Sequence, residues 1–215
     1  MSDPKRLVRD GYDRLGDTYR PADHAAPSGS RAWFLGEALA RIPSSADVLE
    51  LGCGPGWDAV ALAAGRRYTG VDISATMLAL ARERVPSGTF IEGDLTAIDL
   101  PENGFDAVVS LYVFGHIPAA QHLPAYRSVA SWLRPSGVFC ASFPLTPGDD
   151  VEDDWLGVPM FFGHHGAKRN RALVRAAGFE LETAIIEAEP EDRFDALFLW
   201  IVARTPAEPA EPRRG

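Results

Sequence analysis

Short apolar runs separated by amphipathic stretches set the layout of this chain. Seven runs rich in Val, Ile, Leu and Phe fall at 47–51, 67–73, 89–92, 105–111, 138–143, 181–187 and 196–203, most of them bounded by Gly, Pro or Asp. Runs of that length between turn-forming residues read as buried strands. Positions 30–41 and 74–84 carry apolar residues on one helical face, and 119–133 and 168–177 are further helices. Ser74 is placed as an N-cap, Pro86 ends that helix, and Gly178 follows the last one as a C-terminal glycine. Alternating strands and helices predict an α/β unit whose parallel sheet is covered on both faces. The last two runs have no helix between them, and their short connection at 188–195 predicts an antiparallel pair at one edge.

Ligands of such a sheet bind beyond the carboxyl ends of its strands, so the residues just after each strand matter most. After the first comes Glu50-Leu51-Gly52-Cys53-Gly54-Pro55-Gly56, with a helix expected from about Trp57. Glycines at alternate positions permit a sharp turn and close approach of backbone to ligand. The next helix N-terminus offers unpaired N–H groups to an anion. A dinucleotide fingerprint would need a third glycine or alanine where Trp57 stands, and no Gly-Lys-Ser/Thr follows for a triphosphate loop. The second strand ends at Asp72, where a carboxylate can accept from both hydroxyls of a ribose. The third ends at Gly93-Asp94-Leu95, an acid able to accept from an adenine amino group beside an apolar surface for the ring.

Five segments then fall in register: VLELGCGPG (48–56), TGVDIS (69–74), EGDLTAIDLP (92–101), FDAVVSLYVFGHIP (105–118) and LRPSGVF (133–139). Their order and spacing resemble the class I S-adenosylmethionine-dependent methyltransferases. The resemblance implies a Rossmann-like, seven-stranded, mostly parallel sheet with an antiparallel C-terminal hairpin and helices on both faces. It also implies S-adenosyl-L-methionine as cofactor and a small molecule as methyl acceptor. By the same resemblance Glu50 orients the cofactor's amino-acid end against the Gly52–Cys53–Gly54–Gly56 turn, and Asp72 holds the ribose. Ile73 and Leu95 sandwich the adenine, Asp94 reads its amino group, and Met77 and Leu111 complete the pocket. Tyr12 to Tyr19 is similar to the family's lid helix, with Gly16 in place of the usual alanine. Tyr19 would then close over the cofactor and Tyr12 over the acceptor. The segment 1–29 is read as this lid, and 30–205 as the methyltransferase domain.

Moving a methyl off a sulfonium needs a positioned nucleophile and a dry cavity. Trp155, Met160, Phe161 and Phe162 are the expected wall. His116, after the fourth strand, is the first candidate for a general base, since imidazole titrates near neutral pH. His164 and His165, on a loop flanked by Gly163 and Gly166, are the second. The acids Asp149, Asp150, Glu152, Asp153 and Asp154 are read as a solvated loop rather than a metal site, and no metal is expected. Ser110-Leu111-Tyr112 stands where enzymes modifying nucleic-acid bases usually show an Asn/Asp-Pro-Pro-Tyr/Phe. The alternative to methyl transfer is a cofactor-binding enzyme of the same fold that catalyses a cyclisation or rearrangement.

Composition narrows the setting. The chain has 215 residues, 46% hydrophobic and 24% charged, enough for one cored domain. Its two cysteines, Cys53 and Cys140, suggest neither a disulfide framework nor a zinc cluster. A formal net charge of −9 disfavours nucleic acid as partner. No signal peptide and no membrane-spanning run is expected, so the reading is a cytoplasmic monomer or homodimer. The Pro/Ala/Glu-rich stretch over 206–215 is expected to be a disordered tail.

Overall fold

The computed structural model describes residues 3–19, 29–145, 148–190 and 195–207. In chain order these form α1 (Pro4–Leu15), α2 (Gly29–Arg41), β1 (Asp47–Leu51), α3 (Ala59–Leu62), β2 (Arg67–Asp72), α4 (Ala75–Arg84), β3 (Thr89–Glu92) and β4 (Phe105–Ser110). Then follow α5 (His122–Trp132), β5 (Leu133–Pro144), β6 (Gly148–Trp155), β7 (Val158–His164), α6 (Ala167–Ala176), β8 (Glu180–Pro190) and β9 (Asp195–Arg204). The strands of the main sheet lie in the order β3-β2-β1-β4-β5-β9-β8. Pairs from β3 through β5 are parallel, and β9 pairs antiparallel with both β5 and β8. All seven expected strands and the edge hairpin are present. The tail expected from 206 lies, past residue 207, outside the described residues.

Strand alternation divides the core. Leu49, Leu51, Val108, Phe139 and Ala141 face α5 and α6, while Val48, Ala107, Val109 and Cys140 face α2 and α3. Because β1 has β2 on one side and β4 on the other, the chain order reverses between β1 and β4. That reversal opens a crevice at their carboxyl ends. A 3-10 turn over Phe114–His116 follows β4, and Phe114 wedges it into the core against Tyr126 (centroids 4.9 Å) and Phe143 (5.4 Å). Full burial of that ring is worth roughly 2–3 kcal/mol.

Three local expectations need correction. The helix after the glycine turn is only Ala59–Leu62, because Pro55, Gly56 and Trp57 stay in the turn. The stretch 119–133 is a 3-10 turn, Ala119–Gln121, followed by α5, and Leu133 already belongs to β5. The acidic segment is not a loop but β6, an exposed strand paired with β7 in a separate two-stranded sheet. Its carboxylates have no partner face to alternate toward, so no period of two marks it, and their charge guards its open edge. His164 accordingly ends a strand instead of sitting on a loop. A third cluster (Val8, Leu15, Met77, Val158, Met160, Phe161) clamps α1 between α4 and β7, above the crevice.

Buried His122 pins the Phe114–His116 turn from below. Its Nε2 donates to the Ile117 carbonyl (3.0 Å), which leaves Nδ1 to accept from the Tyr126 hydroxyl (3.2 Å). Burial pushes its pKa down to about 4, against 6.5 in the unfolded chain. With a depressed folded pKa, the contribution is whole above pH 6.5 and is lost as pH falls toward 4. Chemical denaturation of His122→Asn should therefore show wild type's advantage shrinking by about 2–3 kcal/mol between pH 7 and pH 4.5. Among the described residues no helix is long and apolar enough to cross a membrane.

Candidate functional site

The turn after β1 forms one wall of the crevice. Gly52, Gly54 and Gly56 all adopt positive φ (65°, 51° and 83°), as the alternating glycines led us to expect. A side chain at Gly52 would meet Val113 Cγ2 at 2.2 Å, whereas one at Gly54 would meet no atom within 4 Å. Gly54 therefore faces a space that a side chain would fill, and a cofactor can lie there against bare backbone. The turn is tied to β2, since the amides of Gly52 and Cys53 donate to the Val71 carbonyl (2.7 and 3.0 Å).

Asp72 closes the crevice on the β2 side. Its Oδ2 accepts from the Gly54 amide (2.8 Å) and its Oδ1 from the Ser74 amide (2.9 Å). Burial lifts this carboxyl to about 6, although both amides pull the other way. Each oxygen has a further lone pair, so the two can still accept from vicinal hydroxyls. Glu50, also buried, accepts from the Tyr68 hydroxyl at 2.5 Å, and burial with nearby Asp58 pushes its carboxyl well up. Ser74 caps α4 as expected, accepting from the Met77 amide (3.1 Å).

Asp94 stands at the carboxyl end of β3 but is not free. Its Oδ2 pairs with Lys5 Nζ of α1 at 2.7 Å, and its Oδ1 accepts from the Thr96 amide and hydroxyl, both at 2.8 Å. Burial would raise this carboxyl, but Lys5 and Thr96 outweigh it and hold the group below its usual range. Ile73 is half-buried against the α1 cluster, while Leu95 and Leu111 lie in the two opposed sheet cores and Met77 is fully buried under α1. Cys53 is buried within the turn.

Above the crevice, α1, the turn after β4 and the β6–β7 hairpin enclose a set of aromatic rings. Tyr12 lies edge-on to Tyr19 (5.2 Å), His116 (5.4 Å) and Trp155 (5.8 Å), and His116 also meets Phe162 (5.0 Å). Phe161 turns inward to pack with Met160 and α1. His116 Nδ1 is 3.0 Å from the Phe161 carbonyl, an acceptor only, so Nδ1 carries the proton. Nε2 then accepts from the Tyr12 hydroxyl at 2.8 Å. Burial pushes the imidazole pKa down to about 4, so the ring is neutral at pH 7. His164 is beside Phe162. His165 is elsewhere, bonded to the Ala119 carbonyl and edge-on to His122.

Sequence reasoning missed several participants. Arg31 of α2 is buried beside the turn, with Nη2 3.0 Å from Asp58 Oδ1, its guanidinium over the Tyr112 ring and its Nε unmatched among the described residues. A signal was present: Arg31 precedes Phe34, Leu35 and Ala38 at helical spacing, a cation on a buried face. Tyr68 shares β2's alternation with Asp72, so it too was detectable. Asp13 follows Tyr12 in the segment that resembles the family's lid helix, although its partner was not foreseen; Lys5 and Thr96 carried no comparable mark.

Residues 48–137 match the sequence model of a family described as "Methyltransferase domain". A probable S-adenosylmethionine-dependent methyltransferase of Mycolicibacterium smegmatis is 33% identical over 196 residues, covering 86% of this chain and 72% of that protein. A trans-aconitate 2-methyltransferase of Paracidovorax citrulli is 50% identical over 114 residues, half of this chain but only 43% of that protein's length. The crystal structure of a methyltransferase from Methanosarcina mazei superposes with a TM-score of 0.69 at 17% identity, covering 79% of this chain and 96% of that one, a likeness of fold.

Proposed function

Because this chain belongs to the S-adenosylmethionine-dependent methyltransferases, we propose that it methylates an oxygen or nitrogen of a small molecule held beneath α1. The observation that carries this reading is the position of the Tyr12–His116 pair, roofed by aromatic rings and set above the Gly54–Asp72 crevice. When bound, the cofactor supplies an electrophilic methyl on a cationic sulfur. Asp72 would hold its ribose and the open face of Gly54 would receive its amino-acid end. Arg31, a buried cation with an unmatched N–H, would meet the carboxylate of that end, near Glu50.

The remaining residues act on the acceptor. Tyr12, Trp155 and Phe162 exclude water, which leaves the acceptor's nucleophile poorly hydrated and held in line. An acceptor O–H can donate to the Tyr12 oxygen while Tyr12's own proton moves to His116 Nε2. A buried imidazole titrating near 4 is a weak base toward a neutral alcohol. It is strong enough for the acidic oxonium formed as the methyl arrives, so the pair accepts the proton late in the transfer. His116 thus works through Tyr12 and not as an isolated base. The net charge of −9 supports a small molecule over nucleic acid as partner. A cytoplasmic monomer or homodimer completes the reading.

The test is to incubate the protein with S-adenosylmethionine and a panel of small hydroxyl, carboxyl and amine compounds, trans-aconitate included. One product should gain the mass of a methyl group, with stoichiometric S-adenosylhomocysteine. A product of unchanged mass formed without S-adenosylhomocysteine would replace this reading by cyclisation or rearrangement on the same fold.

A further inference from the structure

The lid helix α1 is not held by apolar packing alone. Asp13, the residue after Tyr12, reaches across to the carboxyl edge of β2. Its Oδ1 accepts from the Ser74 hydroxyl at 2.6 Å and from the Thr76 amide at 3.2 Å. Ser74 is fully buried, and its own amide donates to Asp72 Oδ1 at 2.9 Å. The same hydroxyl oxygen accepts from the Met77 amide. One short chain of bonds therefore runs from α1 through the cap of α4 to the carboxylate assigned to the ribose. A carboxylate placed on amide and hydroxyl donors at a helix start is among the stronger neutral-to-charged hydrogen bonds.

We propose that Asp13 is a positioning residue. Through Ser74 it locks α1 in register with the Asp72 edge, so that Tyr12 meets His116 and the lid stays shut over a bound nucleoside. The inference rests on the methyltransferase reading and adds to it the link between cofactor grip and lid closure. The apolar contacts of Val8 and Leu15 with Met77, Val158 and Met160 do not depend on Asp13, so α1 keeps its fold without it. Apolar contact has no direction, so the setting of the helix falls to its polar tethers: Lys5 on Asp94, Tyr12 on His116, and Asp13, which joins it through Ser74 to the Asp72 edge. The bonds of Asp13 are directional and fix one setting.

The experiment uses S-adenosylhomocysteine as probe and the full chain, with release followed in stopped flow by tryptophan fluorescence, since Trp155 packs on Tyr12 and Tyr19. Asp13→Ala should release the probe at least tenfold faster than wild type, with a melting temperature within a few degrees. Asp13→Asn keeps the accepting oxygen and should restore release to within about threefold of wild type. That rescue separates positioning from a general loss of stability. If Asp13→Ala releases the probe at the wild-type rate, or if Ala and Asn are equally fast, the inference is overturned while the cofactor reading stands. A wild-type chain that fails to bind the probe overturns both.

Discussion

Replacing Asp72 by alanine should weaken S-adenosylmethionine binding by about a hundredfold or more in calorimetry. Two effects add. The bonds from ribose hydroxyls to a charged acceptor are lost, at about 1.5–3 kcal/mol each. The Gly54 and Ser74 amides also lose their acceptor, which loosens both walls of the crevice. Asp72→Asn keeps one accepting oxygen but presents an NH2 to donors, so it should fall between the two. A pH series separates charge from shape. Hydroxyl donors favour the ionised carboxyl, which titrates near 6 before binding. Wild-type affinity should therefore decline as pH falls below 6, and that of Asp72→Asn should not. An alanine variant that binds as tightly as wild type would remove Asp72 from the site.

Tyr12→Phe should lower single-turnover methyl transfer to a hydroxyl acceptor by about a hundredfold, within the usual range for a positioned proton acceptor. Affinity for S-adenosylhomocysteine should change less than about threefold, because the ring and its packing survive. His116→Ala should cost a similar factor, and the double variant little more, since the two groups serve one proton. Full additivity would mean that they act separately. If Tyr12→Phe leaves turnover intact, the Tyr12–His116 bond is packing alone.

The main sheet was legible because its information is local. The Val/Ile/Leu-rich runs at 47–51 and 105–111 are buried on both faces, and such strands read as near-continuous apolar stretches. The Gly52–Gly54–Gly56 turn was legible for the same reason: alternate glycines at a strand end mark positions where the backbone can take left-handed conformations that other residues rarely adopt, and all three have positive φ. β6 was not legible. Its residues Asp149 to Asp154 face solvent on both sides of the ribbon, so burial imposes no period on them and the strand exists only through its bonds to β7.

Residue pattern and turn chemistry alone thus determined the α/β layout, the edge hairpin, and acids at the ends of β2 and β3. Only the tertiary structure decided what those groups touch. Tyr12 and His116 stand 104 positions apart, and Lys5 and Thr96 stand 91 apart, yet each pair is within bonding distance. Such meetings depend on where α1 and the β6–β7 hairpin settle on the finished sheet. That placement is driven by non-directional apolar burial, which leaves no trace in the spacing of the polar residues it brings together.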